Sequence, residues 1–339
     1  MSGHRTRIEN VRIFDGFRMS EATEVVFEGD RIVEGASADR VIDGGGKFLL
    51  PGLIDTHTHI TKPRNAALSI RLGVTSTFAI GATEKVMRLG VVPRIYSTHY
   101  RAVGSVEDGE AYVTEEVAHG AKYVKIVVED PPHMAKKTIR PDVMKDIVAA
   151  AHRQGLKVAV HAVSVPTLQM AIDAGTDIYI HVPLEAEIPP EMVSQIAASG
   201  APVVPTLVMM KGFADSPIFG YKKDDYRYAQ RNMMLLHDAG VPVLAGSDAN
   251  NVIILPRVRF GIDLQTELRL LVEAGLTTTE ALTGATGLGA KAFGFEDVGA
   301  IEPGRYADFL LVDGDPVKNM DDIGNIRQVW MGGKPVYEA

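Results

Sequence analysis

The chain has 339 residues, 46% of them hydrophobic and 23% charged, with a formal net charge of -8. That length accommodates one large α/β unit plus a small one, the composition is that of a globular protein, and no apolar run reaches the roughly 18 residues that span a bilayer. An acidic balance with no Lys/Arg cluster excludes a nucleic-acid surface, and the absence of cysteine excludes disulfides, thiolate metal ligands and cysteine nucleophiles. The expected partner is a small molecule, with no nucleic acid and no membrane; self-association is left open. The polar start MSGHRTRIENVRIF lacks the apolar core of a secretory signal, so the expected location is cytoplasmic.

In chain order, residues 5–48 alternate apolar and polar, with turns at Asp15-Gly16 and Glu28-Gly29-Asp30, as hairpins do. Eight short apolar segments follow, at 49–59, 74–80, 94–99, 123–128, 157–163, 178–182, 202–208 and 242–248. Helical patterns lie between them, such as 142–154 with Val143, Ile147 and Val148 on one stripe, and glycines such as Gly155, Gly175 and Gly200 close them. Eight strand-helix units predict an α/β protein with a (β/α)8 TIM barrel over 51–296. Residues 305–338 return to the hairpin style. Neither end has strands enough to bury a face alone, so 1–50 and 297–339 are expected to form one composite β-sandwich.

Chemistry concentrates at the ends of these strands. His57 and His59 are two apart on the first and therefore point to one side, at the C-terminal end where barrel enzymes place reactive groups. His161 ends strand five, His181 ends strand six and Asp248 ends strand eight; a carboxylate there can ligate a metal and move protons. Each of these residues alone also reads as a hydrogen-bonded or capping side chain, but together they read as a metal site. Lys125 lies mid-strand between Val124 and Ile126. A buried ammonium is costly, so it either snorkels to the rim or is chemically changed. Carboxylation by CO2 turns it into a carbamate, an anion able to bridge two cations at roughly 3.5 to 4 Å.

At these residues the sequence resembles the amidohydrolase superfamily, in its binuclear branch of imidazolonepropionase-like and Xaa-Pro dipeptidase-like hydrolases. The resemblance rests on Pro51-Gly52-Leu53-Ile54-Asp55 leading to His57-Thr58-His59, Tyr123-Val124-Lys125-Ile126, Val160-His161, Ile180-His181, Gly246-Ser247-Asp248 and the late segment GAIEPGRYAD. It implies two divalent ions, usually zinc: one on His57, His59, carboxylated Lys125 and Asp248, the other on the carbamate with His161 and His181. Mononuclear imidazolonepropionases and deaminases lack the strand-four lysine, so Lys125 argues against a one-metal site. Two departures stand out. Only residues 60–73 separate His59 from strand two, which predicts an open mouth, and that strand ends Phe78-Ala79-Ile80-Gly81 where relatives carry an Arg-Asp pair.

The expected reaction is hydrolysis of an amide or cyclic amide C–N bond, for example in a dipeptide or N-acyl amino acid, by a metal-bridging hydroxide with Asp248 as proton carrier. The same machinery suits a lactone, carbamate or phosphotriester. A mononuclear deaminase and a catalytically silent barrel that acts as a binding protein are the rival readings. Substrate contacts are expected from His99, Tyr100, Arg101, His133 and Met209 at the strand ends.

Overall fold

The computed structural model describes residues 4–35, 37–82, 84–87, 93–99, 106–129 and 138–339. Six strands come first: β1 (Arg5–Glu9), β2 (Arg12–Ile13), β3 (Val25–Glu28), β4 (Arg31–Ile32), β5 (Arg40–Asp43) and β6 (Phe48–Pro51). Strands and helices then alternate: β7 (Leu53–Thr58), α1 (Pro63–Arg71), β8 (Val74–Ile80), α2 (Glu84–Met87), β9 (Arg94–Thr98), α3 (Gly109–Ala118), β10 (Val124–Val128), α4 (Pro141–Arg153) and β11 (Val158–Ala162). The series continues with α5 (Val165–Ala174), β12 (Ile178–Ile180), α6 (Pro190–Ser199), β13 (Val203–Val204), α7 (Leu207–Asp215), α8 (Tyr226–Asp238), α9 (Ile262–Ala274), α10 (Thr278–Gly284) and α11 (Gly287–Phe293). Three strands end the chain: β14 (Phe309–Val312), β15 (Ile326–Met331) and β16 (Lys334–Glu338).

The terminal strands make two sheets, ordered β4-β3-β1-β5 and β16-β15-β14-β6-β2. The second sheet joins both ends of the chain, because β14 pairs antiparallel with β6 from Phe309↔Pro51 to Val312↔Phe48. On β1 the alternation buries Thr6 and Ile8 while Arg5, Arg7 and Glu9 stay partly exposed, the period-2 pattern of a half-buried strand. Ile8 and Phe27 of the first sheet cluster with Leu49, Phe309 and Trp330 of the second. Each sheet thus covers apolar area the other cannot hide, at roughly 25 cal/mol per Å² removed from water.

The alternating part builds two parallel sheets, β7-β8-β9 and β10-β11-β12-β13. All residues of β7 and β8 are buried, as expected where helices cover a parallel sheet. Three features differ from the sequence reading. The first apolar segment is two strands: β6 joins the terminal sheet, and after Gly52 the chain turns into β7. The seventh strand stops at Val204, because Pro205 lacks an N–H and Thr206 adopts a left-handed backbone with φ 48°; residues 207–210 are therefore the start of α7 rather than a strand end. The 242–248 segment forms no ladder of its own. It is held by the isolated parallel bridges Val203↔Val243 and Thr58↔Ala249, with Leu244 N donating to Val203 O and Thr56 N to Ala245 O.

Close approach explains the glycine in this last segment. A Cβ on Gly246 would lie 2.5 Å from Val204 Cγ1 and 3.0 Å from His57 N. Only a residue without a side chain lets residues 243–249 press against β7 and β13 and bring Asp248 beside His57.

Candidate metal centre

Six ligand-type side chains face one another where these strands end. Asp248 Oδ1 lies 3.1 Å from His59 Nε2 and 3.4 Å from His57 Nε2. The rings of His57 and His59 are 5.5 Å apart, those of His57 and His181 5.3 Å, and those of His161 and His181 4.3 Å, all near perpendicular. Ligand atoms of His57, His181 and Asp248 all fall within 4.8 Å of one another. Lys125 on β10 is 1% exposed and close enough to His57, His181 and Asp248 for its charge to act on each.

Backbone strain aims these groups. His181 has φ 72°, Thr206 φ 48° and Asp248 φ 59°, so three of the four non-glycine residues with positive φ among those described sit at strand ends around this site. Each such conformation costs on the order of 1–3 kcal/mol and persists only where its surroundings over-determine it. Here they do. Asp248 N donates to His57 O at 2.8 Å, and His181 N donates to Val204 O at 2.8 Å. Beneath Asp248, the Asp55 carboxylate accepts from Ser247 N at 2.9 Å and Ser247 Oγ at 2.6 Å, which fixes the turn preceding the ligand. The Thr206 hydroxyl donates to Pro205 O, so His181 Nδ1 donates to Thr206 Oγ1 at 2.6 Å and its Nε2 lone pair is left facing the cluster. Glu267, fully buried on α9, accepts from the backbone N–H groups of Leu207 and Val208 and so pins the start of α7 behind Thr206.

The electrostatics suit cation binding. Burial, followed by the charge of Lys125 and the neighbouring histidines, holds His57 well below the ordinary histidine range. Burial and then the charges of His161, Lys125 and His59 do the same to His181. Both rings are therefore neutral, the form that ligates metals. Burial pushes Lys125 down to about 7, only partly offset by Asp248, so an unprotonated amine is accessible near neutrality. Among the described residues the buried Lys125 Nζ and His181 Nε2 have no hydrogen-bond partner, while His161 Nε2 faces only Glu129 and Asp248 Oδ1 only His57 and His59, in contacts that form no hydrogen bond. Leaving a polar group buried and unpaired costs about 1–3 kcal/mol. Two imidazoles, an amine and a carboxylate that converge with so few hydrogen bonds fit divalent metal ions, which would engage all of them at once.

Glu129 escaped the sequence reading. One residue beyond β10 and 8% exposed, its Oε1 lies 2.9 Å from His161 Nε2. The signal that picked out His161, a polar residue at the end of an apolar strand, was present in Val127-Val128-Glu129 as well. Of the expected substrate contacts, His99 is exposed and turned away from the cluster: its ring stacks on His119 at 3.7 Å and 10°, and its backbone N–H donates to Glu116 Oε2. His99, Glu115 and His119 are close enough to share an ion, but both histidines are exposed and His119 Nδ1 already contacts Glu115 O at 2.8 Å. Met209 is fully buried on α7 in the main apolar core, because the segment expected as a strand end is a helix. Tyr100, Arg101 and His133 lie outside the described residues.

Two buried acids beneath the site imply a pH dependence. Burial pushes Asp55 up to about 7 and Glu267 up to about 8, against the backbone donors that favour their charged forms. A carboxyl with a raised folded-state pKa favours the fold while protonated, so Glu267's contribution is fully present below about 4.5 and lost as pH rises through about 8. The melting temperature of metal-stripped protein is expected to fall between pH 5 and 9, and Glu267→Gln to flatten that fall; equal slopes for both proteins would count against the assignment.

The comparisons with known proteins agree with this geometry. Residues 48–336 match the model of the amidohydrolase family. An uncharacterized protein of Mycobacterium tuberculosis is 27% identical over 289 residues, 74% of this chain and 75% of that protein. An imidazolonepropionase of Deinococcus deserti is 25% identical, over 97% of this chain and 94% of the relative. Among solved structures, a Xaa-Pro dipeptidase with methionine bound in its active site superposes with a TM-score of 0.81 at 21% identity, covering 99% of this chain and all of that one. The mixed α/β architecture is thus that of the amidohydrolase fold, of the TIM-barrel class. The chain belongs to the amidohydrolase family and is a hydrolase acting on C–N bonds.

Proposed function

We propose that this protein is a binuclear metal hydrolase of amide or cyclic amide bonds, with a dipeptide or N-acyl amino acid as the substrate class. The observation that carries the reading is Lys125: an amine 1% exposed and without a hydrogen-bond partner among the described residues, beside His181, whose Nε2 is likewise unpartnered. Carboxylation by CO2, with loss of one proton, would turn it into a carbamate. His57, His59, Lys125 and Asp248 would hold one ion, and Lys125, His161 and His181 the other, with zinc suiting the nitrogen and oxygen donors. In the same reading the two parallel sheets and residues 242–249 close into the eight-stranded barrel. Residues 1–50 and 297–339 form the composite β-sandwich, and the protein works in the cytoplasm.

When bound, the ions supply Lewis acidity toward a carbonyl oxygen and toward water. The chain's own residues do the rest. Asp248, held by the Ser247 turn and within 3.4 Å of both His57 and His59, takes the proton from the attacking water and delivers it to the leaving nitrogen. The neutral rings of His57 and His181 stay fixed while this proton moves, the latter through Thr206. Thr58 and Thr77 hydroxyls bond to each other at 2.8 Å behind the histidine pair, keeping β7 and β8 in register.

The test is a substrate panel on zinc-loaded protein: N-acyl amino acids, dipeptides, cyclic imides, lactones and a phosphotriester. Turnover of an amide or imide, abolished by chelation and restored by metal, is expected. Turnover confined to lactones or phosphotriesters would refute the substrate class.

A further inference from the structure

Outside the metal centre, α1 and residues 250–260 enclose a cleft of about 610 Å³. Its lining includes Arg64, Arg71 and Arg257 and, among the described residues, no acidic side chain, in a chain whose net charge is -8. None of the three is ion-paired among the described residues, though Arg71 lies over the Tyr337 ring at 5.5 Å. A fourth arginine, Arg259, is already neutralised by Asp263 through bonds of 2.7 and 3.1 Å. Like charges gathered without counter-charges repel one another, so the arrangement favours a bound anion.

Two neutral donors point the same way. Asn65 is 7% exposed and lines the cleft, yet among the described residues its buried Nδ2 has no hydrogen-bond partner; Asn251 Nδ2, on the opposite wall, is likewise buried and unpaired among them. Asn65 belongs to the first turn of α1, which starts without a side-chain cap and without an acid in that turn. The positive end of that helix is therefore uncompensated. Orphaned amide donors, an open helix start and unpaired guanidinium groups share one complementary chemistry: an oxyanion with several acceptor oxygens.

We infer that this cleft is an anion-binding site for the carboxylate or phosphate group of a small molecule. Its walls continue directly from metal-ligand positions: α1 follows His59 after residues 60–62, and Asn250 comes two residues after Asp248. The group bound there is either the charged tail of the substrate or a separate effector that reports to both ligand-bearing segments.

Isothermal titration of zinc-loaded protein with inorganic phosphate tests this without any turnover, so its failure is separate from failure of the proposed reaction. Saturable binding is expected, weakened at least tenfold in R64M/R257M and lowered by added salt; the charge reversal R257E should act in the same direction. Both side chains replaced, Arg64 and Arg257, are exposed, and matching thermal melts would show that the fold is intact. Phosphate held by the metal centre would titrate equally in wild type and variants, so unchanged isotherms, or no saturable binding, would overturn the inference. With a turned-over carboxylate substrate in hand, a raised KM in R64M/R257M that vanishes for the uncharged amide analogue assigns the site to the substrate tail. An unchanged KM with phosphate binding lost assigns it to an effector.

Discussion

Lys125→Met is expected to abolish binding of at least one of two metal ions and to lower turnover by about 10³-fold, since metal stabilisation of developing charge supplies several kcal/mol at 1.36 kcal/mol per factor of ten. Methionine nearly conserves the volume and removes a buried amine that has no partner. The metal-free variant should therefore melt no lower than metal-free wild type. That combination, metal lost and fold kept, separates a ligand from a structural lysine. Elemental analysis should give close to two ions per wild-type chain. Recovery of activity by stripped wild type given zinc should be slow in CO2-depleted buffer and faster with bicarbonate, because carbamate formation consumes CO2. One ion per chain in both proteins, with equal activity, would instead make this a mononuclear enzyme.

Asp248→Asn is expected to lower kcat by about 10² to 10⁴-fold, the range of general acid-base catalysis. The substitution is informative because of the backbone. Asp248 has φ 59°, a conformation asparagine tolerates where alanine would add strain of roughly 1–2 kcal/mol. The turn held by Asp55 and Ser247 should survive, and the loss then reports on proton transfer and ligation. The two can be told apart by the leaving group. If Asp248 protonates the departing nitrogen, an activated anilide with a nitro substituent should suffer a smaller penalty than an alkyl amide at equal metal occupancy. Equal penalties would assign Asp248 to ligation alone.

Much of the candidate site is legible in the sequence because strand ends have a simple grammar. His57 and His59 are two apart on an apolar strand and must share a side; His161, His181 and Asp248 each follow an apolar run; and in α/β proteins such positions converge at one face. The same rule covers Glu129, which follows Val127-Val128. The chain ends were readable for a related reason: alternating burial, as in β1, announces a half-exposed sheet. Residues 207–210 misled because a short apolar run has no reliable period. Val203, Val204 and Met209 are equally buried, and only Pro205 and the left-handed turn at Thr206 separate strand from helix.

Sequence alone determined the inventory: which residues could ligate, the alternation that orders them, and the absence of thiolate chemistry. Tertiary structure decided what each residue experiences. It stripped water from Lys125, so that its amine is not held protonated near neutrality. It directed the Nδ1 proton of His181 to Thr206, a residue 25 positions away, and it turned His99 outward onto His119. It also brought Arg64 and Arg257, 193 positions apart, around one cleft with unpaired amides. Desolvation, tautomer and charge clustering depend on neighbours distant in the chain, and periodicity carries no information about those.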